Sequence, residues 1–488
     1  MVSVNPSGDA LLQLTLSAIV VGYVITNEPG FVAPSRESPP LGFQAFSDSP
    51  VGTVTSAEVI PVSSLLNSES PIRLDVLSRT PSSISNSPAN VIARHGSDEH
   101  LARSRPPSGH HSTTPAGFWP LENDQEAMLM GHYIDHVALF FDMCDAQKHF
   151  TFEVPQRART NITLFNAIMA LSARHLSRTS SFDTFVADRY YQICLQTLIP
   201  ALNDSVAIND ESLLAATIIL RLLEELNIPI TGDDPRSHLF GTHAILRAVQ
   251  RRYDLNPVDT SFRQAIYWAA FRQELWISLM TQRPFQLHIF EADRSIEPAN
   301  DSTWADRTIA HVGDVIHFAF GEGKHSVSRF NRLMEENESW RRRRPDSFIE
   351  FFHQRDRDGS GRNFPDIRCH ADAHVMGRQY NILGRVLLVV HNPTIPQLGP
   401  AHKKAKMEVD IQVQEDVRTL VGVALSNERA FPASLVACFA IALVGDRFTN
   451  RQDQSQLREM LIKTETRHGW PTKAARSQLE EVWEWNSR

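Results

Sequence analysis

The chain has 488 residues, with 48 Lys and Arg against 56 Asp and Glu, and a net charge of −8 at neutral pH. This length allows two domains, or one large domain with a long appendage, and a composition of 42% apolar residues is enough for a substantial core, which excludes global disorder. An acidic chain also lacks the general positive field that holds proteins on DNA through phosphate contacts alone. Any DNA contact therefore requires a local basic patch or a second chain.

The N-terminal residues 10–25 form a mostly apolar stretch. It is shorter than the roughly 20 residues that a membrane span requires, and no Lys or Arg precedes it as in a signal peptide. Secretion or membrane anchoring is therefore the less favoured interpretation. A stray helix, or a stretch that is not part of the native product, explains the pattern more simply. We treat residues 1–30 as a short apolar segment of uncertain status and expect no membrane partner.

Residues 31–115 change character, because Ser and Pro occupy 29 of these 85 positions. Such a composition offers no apolar face for a core, and it predicts a disordered linker over residues 31–121. The linker contains several Ser-Pro pairs that suit proline-directed phosphorylation, although any linker of this composition offers such pairs. They are Ser38-Pro39, Ser49-Pro50, Ser70-Pro71 and Ser87-Pro88.

From residue 122 to the end, apolar residues recur at intervals of three and four, as they do where one face of a helix packs on a core. We find no convincing strand alternation and no fixed-period repeat, so a regular solenoid is not supported. The predicted fold of residues 122–488 is all-α, a large irregular multi-helix bundle. The patterns cover residues 133–144, 164–175, 186–198 with a stop at Pro200, 211–226, 262–280, 304–320, 326–342, 370–391, 407–426, 432–447, 453–467 and 471–486.

The four cysteines are too widely spaced for a CxxC pair or a disulfide framework. They are therefore predicted to be reduced, mostly buried thiols of an intracellular protein, and none has a neighbouring His arranged to make it a nucleophile. The residues are Cys144, Cys194, Cys369 and Cys438.

His132 and His136 lie four residues apart, which is the spacing of two zinc ligands on one helix face. The metalloprotease pattern places Glu directly after the first His, and here that residue is Tyr133. Nearby Asp135, Asp142 and Asp145 could complete a metal site on paper. Helix capping and surface roles explain these side chains more simply, so we predict no metal site here.

Two groups of acidic residues are typical of cation ligands in other proteins. Asp233 and Asp234 precede a proline as in a helix-starting turn, and the group Asp356, Asp358 and Asp366 lacks the spacing of a calcium loop. We predict solvated loops at both places, and therefore no catalytic residue, metal ligand or cofactor. The competing class is an all-α metal-dependent enzyme that uses Asp233 and Asp234 or the His132/His136 pair.

The densest positive charge is the run Arg341, Arg342, Arg343 and Arg344, and the second basic run is 402–406. Arginines at the end of a helix complement its dipole and commonly form a solvated surface. The functional alternative is a nuclear-import signal, and we name the four arginines as its candidate. Direct reading of DNA is less favoured, because no groove-sized element accompanies either run.

Several separate segments of the chain together resemble one family. No single motif among them is diagnostic, and their order and spacing carry the resemblance. The segments are His132–Val137, Phe141–Asp145, His149-Phe150, Val154-Pro155, Leu164–Ser177, Tyr190-Tyr191, Leu198–Pro200, Leu213–Glu225, His238–Thr242, Ala269–Glu274, Gln282–Pro284, Asn392-Pro393 and Asn427–Ala430. They are similar to the fungal-specific transcription factor domain, the regulatory region of fungal zinc-cluster activators. The resemblance spans about residues 125–485.

The resemblance implies an all-α regulatory domain over residues 122–488 of a nuclear transcription factor that controls metabolic or secondary-metabolite genes. It further implies self-association or protein partners, and a small-molecule effector. Full-length members also carry an N-terminal six-cysteine cluster that binds two zinc ions, and this sequence contains no such segment. We therefore expect DNA contact only through a missing zinc-cluster module or through a partner. The alternatives are a natural truncation and a gene model that lacks its first exon.

Overall fold

The computed structural model describes residues 121–202, 210–227, 261–285, 293–322, 325–354 and 364–485. The predicted N-terminal segment and nearly all of the predicted linker lie outside these residues, as do Asp233, Asp234, Asp356 and Asp358. Within the described ranges the protein is helical, with one two-stranded antiparallel sheet. The predicted all-α class is confirmed. No helix among these residues is both long and apolar enough to cross a membrane.

The first half of the described chain begins with α1 (Asp124–His132), which continues through a π-helical turn (Tyr133–Val137) into α2 (Leu139–Asp142). The π-helical turn interrupts a stripe that the sequence pattern predicted as one regular helix. The helices that follow are α3 (His149–Ala158), α4 (Ile162–Thr179), α5 (Thr184–Leu202), α6 (Glu211–Glu225) and α7 (Ser261–Thr281).

The second half contains the sheet and the remaining helices. The strands β1 (Phe352–Gln354) and β2 (Asp366–Arg368) pair with His353 opposite Ile367. The helices are α8 (Asp301–Phe320), α9 (Val327–Arg343), α10 (Asp372–Val390), α11 (Gly399–Ser426), α12 (Pro432–Val444), α13 (Arg451–His468) and α14 (Lys473–Val482).

Side chains that cap the helix N-termini explain several of these boundaries. Asn161 accepts a hydrogen bond from the backbone N–H of Leu164, and Asp210 accepts one from Ser212 at the start of α6. Such caps satisfy backbone donors that have no partner inside the helix, and each stabilises the helix by about 1 kcal/mol.

Besides the π-helical turn, the structure departs from the predicted pattern at three further places. Helix α5 continues through Pro200 to Leu202 instead of stopping at the proline, which removes one hydrogen bond of the helix, because proline has no backbone N–H. Helix α11 starts at Gly399, eight residues before the predicted pattern, because its first half packs against the core only at Val409 and so shows no apolar periodicity. The β1–β2 ribbon was missed, because three-residue strands are too short to show alternation.

One continuous core joins the two halves of the described chain. It contains buried residues of every helix from α1 to α14, and all four cysteines are free and buried, as predicted. A small separate cluster of Trp304, Trp340 and Phe348 lies beneath the end of α9. In that cluster the Trp340 Nε1–H donates to the Trp304 carbonyl at 2.8 Å, so the polar edge of the buried indole is satisfied.

Helix α7 lies at the centre, and every residue from Ala269 to Met280 is buried. Its polar side chains reach three neighbouring elements. Arg272 donates to the Phe141 carbonyl, and Gln273 Nε2 donates to the Ile218 carbonyl of α6 at 3.0 Å. Trp276 Nε1 donates to the hydroxyl of Tyr380 on α10, also at 3.0 Å. Because a buried polar group without a partner is costly, these bonds fix how α7 is placed against its neighbours.

A buried ionic cluster joins α6 to α7. Arg221 Nε lies 3.1 Å from Glu225 Oε1 and Arg221 Nη2 lies 2.9 Å from Glu274 Oε2, with the Arg221 side chain fully buried. Burial raises the pKa of Glu225 to about 8 and that of neighbouring Glu224 to about 7. Several carboxyl groups thus share the single positive charge of Arg221, and one cation cannot neutralise all of them in the ionised form.

We predict that Arg221→Met destabilises the protein by about 3–5 kcal/mol at neutral pH, because the buried carboxyl groups lose their cationic partner and must stay protonated at a pH where they are ionised in the unfolded chain. The loss increases as the pH rises, since the unfolded chain releases these carboxyl protons near pH 4.5 whereas the folded chain retains them to higher pH. Urea unfolding at several pH values measures both effects.

The matched control is Arg332→Met, because Arg332 is exposed and lies 3.7 Å from Glu336 on the helix surface. We expect its unfolding free energy to stay within about 0.5 kcal/mol of the parent protein. Equal midpoints for Arg221→Met and Arg332→Met would show that the buried cluster does not stabilise the bundle.

Candidate functional site

The predicted His132/His136 pair lies where α1 passes into the π-helical turn. The two ring centroids are 4.9 Å apart, and His132 Nε2 lies 2.9 Å from Nδ1 of His175 on α4. One of these two nitrogens must donate and the other accept, so the short contact requires at least one neutral ring. The pair therefore belongs to a histidine cluster that includes a third helix.

The electrostatic environment keeps the buried members of this cluster neutral. Burial, with the charge of His136 second, lowers the pKa of His132 to about 4, and burial together with the neighbouring histidines lowers that of His175 to about 3. Burial and nearby cationic side chains lower the pKa of His468, at the end of α13, to about 4. Protonation of the cluster would place several cations together in a poorly solvated space.

The sequence offered no indication of His175 and His468 as members of this cluster. They lie far from His132 along the chain, and only the packing of α4 and α13 brings them near it. Within the described ranges, no group of three or more His, Cys, Asp or Glu side chains is placed to hold a metal ion. The histidine cluster is thus held together by the hydrogen bond between His132 and His175 and by helix packing.

The carboxylates near the histidine pair have structural partners. Asp142 accepts from the backbone N–H groups of Phe150 and Thr151 at 2.9 and 2.7 Å, and so caps α3. Asp145 Oδ2 lies 2.7 Å from His149 Nδ1 and accepts from the His149 backbone N–H at 2.8 Å. These contacts agree with the predicted capping roles.

Burial disfavours the thiolate form of all four cysteines. Burial raises the pKa of Cys194 and of Cys438 to about 12, and it also raises the pKa of Cys144 and Cys369. Because the thiolate is the reactive form, these cysteines are packing residues and not nucleophiles.

The candidate import run lies at the end of α9. Arg341, Arg342 and Arg343 occupy the last helical turn and are exposed to solvent. Arg341 Nη2 lies 2.6 Å from Glu338, and Arg342 Nη2 lies 2.5 Å from Glu335. Such exposed pairs are weak, so a partner with acidic groups can replace these glutamates at little cost.

The fourth arginine of the run differs from the other three. Arg344 follows the helix, its backbone N–H donates to the Trp340 carbonyl at 3.0 Å, and its half-buried side chain lies 4.0 Å from Glu350. The same Glu350 accepts two hydrogen bonds from Arg378 at 2.7 and 3.0 Å. Arg344 therefore holds the chain after α9 in place.

The second basic run lies on the first half of α11. No residue from His391 to Gln412 is buried, so this half of the helix projects from the bundle. It carries Lys403, Lys404 and Lys406 together with exposed apolar residues that the sequence analysis did not single out.

A half-open groove of about 530 Å³ lies between β2, α11 and α13. Its apolar walls include Pro365, Leu425 and the buried Met460, and its rim includes an ion pair of 2.5 Å between Lys463 and Glu428. A cavity of this size is in the range that holds small ligands.

Residues 128–280 match the model of the family described as the fungal specific transcription factor domain. The predicted resemblance is confirmed over this region, which runs from α1 to α7. The match supports a transcriptional regulator. No curated protein and no solved structure matches the chain.

We predict that the histidine cluster makes the fold sensitive to acid. Between pH 6.5 and about 3 the unfolded chain protonates His175 while the folded chain does not, so stability falls as the pH falls, by up to about 1.4 kcal/mol per pH unit. His175→Gln removes this contribution and should flatten the dependence, measured as urea midpoints from pH 7 to 5.

The control variant is His317→Gln, which changes an exposed histidine at the end of α8. It should keep the parental slope of stability against pH. If the stability of His175→Gln depended on pH as steeply as that of the parent protein, this would contradict the prediction that the buried His175 ring stays neutral.

Proposed function

We propose that the protein, whose residues 128–280 belong to the fungal specific transcription factor domain family, is a nuclear transcriptional regulator of metabolic or secondary-metabolite genes. The family match carries the proposal. The buried, high-pKa thiols and the carboxylates engaged in capping agree with a protein that acts by binding instead of by catalysis.

The regulator would act through protein partners or through a second copy of itself. The helical body supplies a rigid framework, because the buried bonds of α7 tie α6 and α10 to it. The projecting half of α11 and the exposed end of α9 supply surfaces that the fold does not need for its own core. DNA contact would come from a partner or from a zinc-cluster module outside this sequence.

A small-molecule effector is a further part of the proposal. The groove beside Leu425 and Met460 combines an apolar wall with charged rim residues, which suits a ligand with an apolar body and one or two polar groups. Occupation of the groove would contact β2, α11 and α13 together, so a ligand there could bias how these elements pack.

The competing enzyme hypothesis receives no support from the described residues. His132 forms a hydrogen bond with His175, and His136 is exposed on the π-helical turn without a set of metal ligands around it among those residues. Asp233 and Asp234 lie outside the described residues.

Deletion of the gene followed by transcript profiling tests the main proposal. We expect a coherent set of metabolic genes to change expression, and complementation with the parent gene to restore it. Complementation with His136→Ala should restore expression equally, because this exposed ring carries no chemical step. An unchanged transcriptome with an altered metabolite would contradict the proposal and favour an enzyme.

Nuclear import through the end of α9 is tested with a fluorescent fusion of the full chain. The triple variant Arg341→Gln, Arg342→Gln and Arg343→Gln should lower the ratio of nuclear to cytoplasmic fluorescence several-fold, because it removes the exposed cations that an acidic receptor would bind.

The control for import carries the same charge change at other exposed arginines, as Arg332→Gln, Arg368→Gln and Arg467→Gln. It should remain nuclear like the parent fusion. An equal nuclear signal for both triple variants would show that Arg341, Arg342 and Arg343 do not direct import.

A further inference from the structure

An exposed serine lies directly after the arginines at the end of α9. Arg342 and Arg344 precede Ser347 by five and three residues, and Phe348 follows it. Arginine-directed protein kinases select substrates through this spacing, because acidic pockets of the kinase pair with the two guanidinium groups and an apolar pocket takes the residue after the serine. Residues 342–348 therefore combine every recognition element of such a kinase substrate.

The same arginine spacing precedes two other serines, Ser108 and Ser360, and both lie outside the described residues. Glycine follows each of them, so neither offers the apolar group after the serine. Ser347 differs from both because Phe348 follows it. A test of this site must therefore identify which serine is modified.

The arginines of this pattern can leave their present partners at little cost. Arg342 lies 2.5 Å from Glu335, and both side chains are more than half exposed, so this ion pair is weak. Arg344 lies 4.0 Å from Glu350, which also accepts two hydrogen bonds from Arg378. Glu350 keeps its bonds to Arg378 if Arg344 moves away. A kinase can thus take both guanidinium groups without leaving a carboxylate unpaired.

Ser347 lies in a single 3₁₀ turn, Asp346–Phe348, with extended backbone at Ile349 after it. Two backbone hydrogen bonds close the turn, from Phe348 to Pro345 at 3.0 Å and from Ile349 to Asp346 at 2.9 Å. Kinases bind their substrates extended, so the turn must open and Phe348 must leave the buried cluster beneath α9. A short turn with few hydrogen bonds is a unit that can open locally, and the apolar pocket of the kinase then receives Phe348.

The Ser347 hydroxyl ties the turn to the start of α8. Ser347 Oγ donates to Asp301 Oδ1 at 2.7 Å, and Asp301 Oδ2 lies 2.7 Å from His374 Nε2. Burial opposes ionisation of Asp301, but the hydrogen bonds from His374 and Ser347 outweigh it and lower the pKa of this carboxyl group. Ser347 therefore faces a carboxylate, which accepts a hydroxyl proton but repels an anion.

We propose that Ser347 is a phosphorylation site of an arginine-directed protein kinase and that its phosphate opposes nuclear import by Arg341, Arg342 and Arg343. The Ser347 oxygen attacks the γ-phosphorus of ATP, the bond from that phosphorus to the β,γ-bridging oxygen breaks, and ADP leaves. The hydroxyl proton passes to the catalytic aspartate of the kinase. The import part of this inference rests on the proposed function, whereas the site itself does not.

The phosphate acts on the structure in two ways. It replaces the hydrogen bond to Asp301 with repulsion between two anions, so the turn no longer closes on α8. With a charge of about −1.5 to −2 at neutral pH, it also offsets about half of the positive charge of the four arginines. An acidic import receptor would therefore bind the phosphorylated chain more weakly.

Incubation of the full chain with Mg²⁺, ATP and the catalytic domain of protein kinase B tests the site. Mass spectrometry of proteolytic peptides should find phosphate on Ser347. Arg342→Gln should slow the phosphorylation of Ser347 about tenfold, because one charge-assisted contact with the kinase is lost. Arg341→Gln is the matched control, since Arg341 lies in the same helical turn, is also exposed and also pairs with a glutamate. It lies outside the recognised positions, so this variant should be phosphorylated at the parental rate.

A second experiment measures the effect of negative charge on the turn. Ser347→Asp and Ser347→Ala both remove the hydrogen bond to Asp301, but only the aspartate places an anion beside it. Amide hydrogen exchange at Phe348 and Ile349 should therefore be several-fold faster in Ser347→Asp than in Ser347→Ala. Equal exchange rates would contradict repulsion from Asp301.

Fluorescent fusions of the full chain test the effect on import. Ser347→Asp should lower the ratio of nuclear to cytoplasmic fluorescence about twofold or more relative to Ser347→Ala, because it adds negative charge beside the arginines. Ser328→Asp is the control, since Ser328 is exposed near the start of α9 and lies about 20 Å along the helix from Arg341. This fusion should remain as nuclear as the parent.

The outcomes separate the site from the import proposal. A parent chain without phosphate on Ser347, or equal phosphorylation rates for Arg342→Gln and Arg341→Gln, would overturn the site. Equal nuclear signals for Ser347→Asp and Ser347→Ala, with a cytoplasmic triple arginine variant, would overturn the effect of the phosphate and leave the import proposal standing. A triple arginine variant that stays nuclear would overturn import by these arginines, and with it the role of the phosphate there, but not the phosphorylation of Ser347.

Discussion

The central constraint on this fold is that α7 is buried on all sides from Ala269 to Met280 while it carries polar side chains there. A buried donor or acceptor without a partner costs about 1–3 kcal/mol, so Arg272, Gln273 and Trp276 must each find a group on another element. They do so at Phe141, Ile218 and Tyr380. Apolar packing alone would allow one helix to slide along another. These directional hydrogen bonds instead fix the position of α7 relative to the elements that it contacts. The family match from residue 128 to residue 280 ends within this central helix.

Burial also explains why ionisable groups with shifted pKa values occur here at structural positions. Such shifts often mark active sites, but buried structural networks produce them too. Glu225 is paired with Arg221 inside the α6–α7 contact, and His175 is packed against His132 between α1 and α4. In both places the shift follows from loss of solvent, and the neighbouring groups belong to packed helices. The folded helical domain therefore loses stability as the pH falls, because its buried histidines resist protonation. It also loses stability as the pH rises, because its buried carboxyl groups resist ionisation.

The sequence was informative where a local rule decides the structure. The cap at Asn161, the apolar helix α6 and the all-α class follow from patterns within a few turns. The π-helical turn after His132, the approach of His468 to that turn and the short β ribbon depend on contacts between distant segments, for which one sequence has no periodic indication. For the same reason the sequence indicated His132 and His136 as neighbours, but not the approach of His175 and His468 to them.

The extent of α11 follows from how helices form. Starting a helix is unfavourable, because several residues are ordered before the first hydrogen bond is gained, but each further residue adds to an existing helix at little cost. The buried half of α11, anchored by Val417 and Leu420, supplies the nucleus, and the outer half extends from it without a core of its own. A helix that exists before association loses less entropy on binding than a segment that must fold on contact. The exposed half of α11 is thus ordered by the core at Val417, so damage to the buried half should reach the exposed half through loss of helix and not through any direct contact.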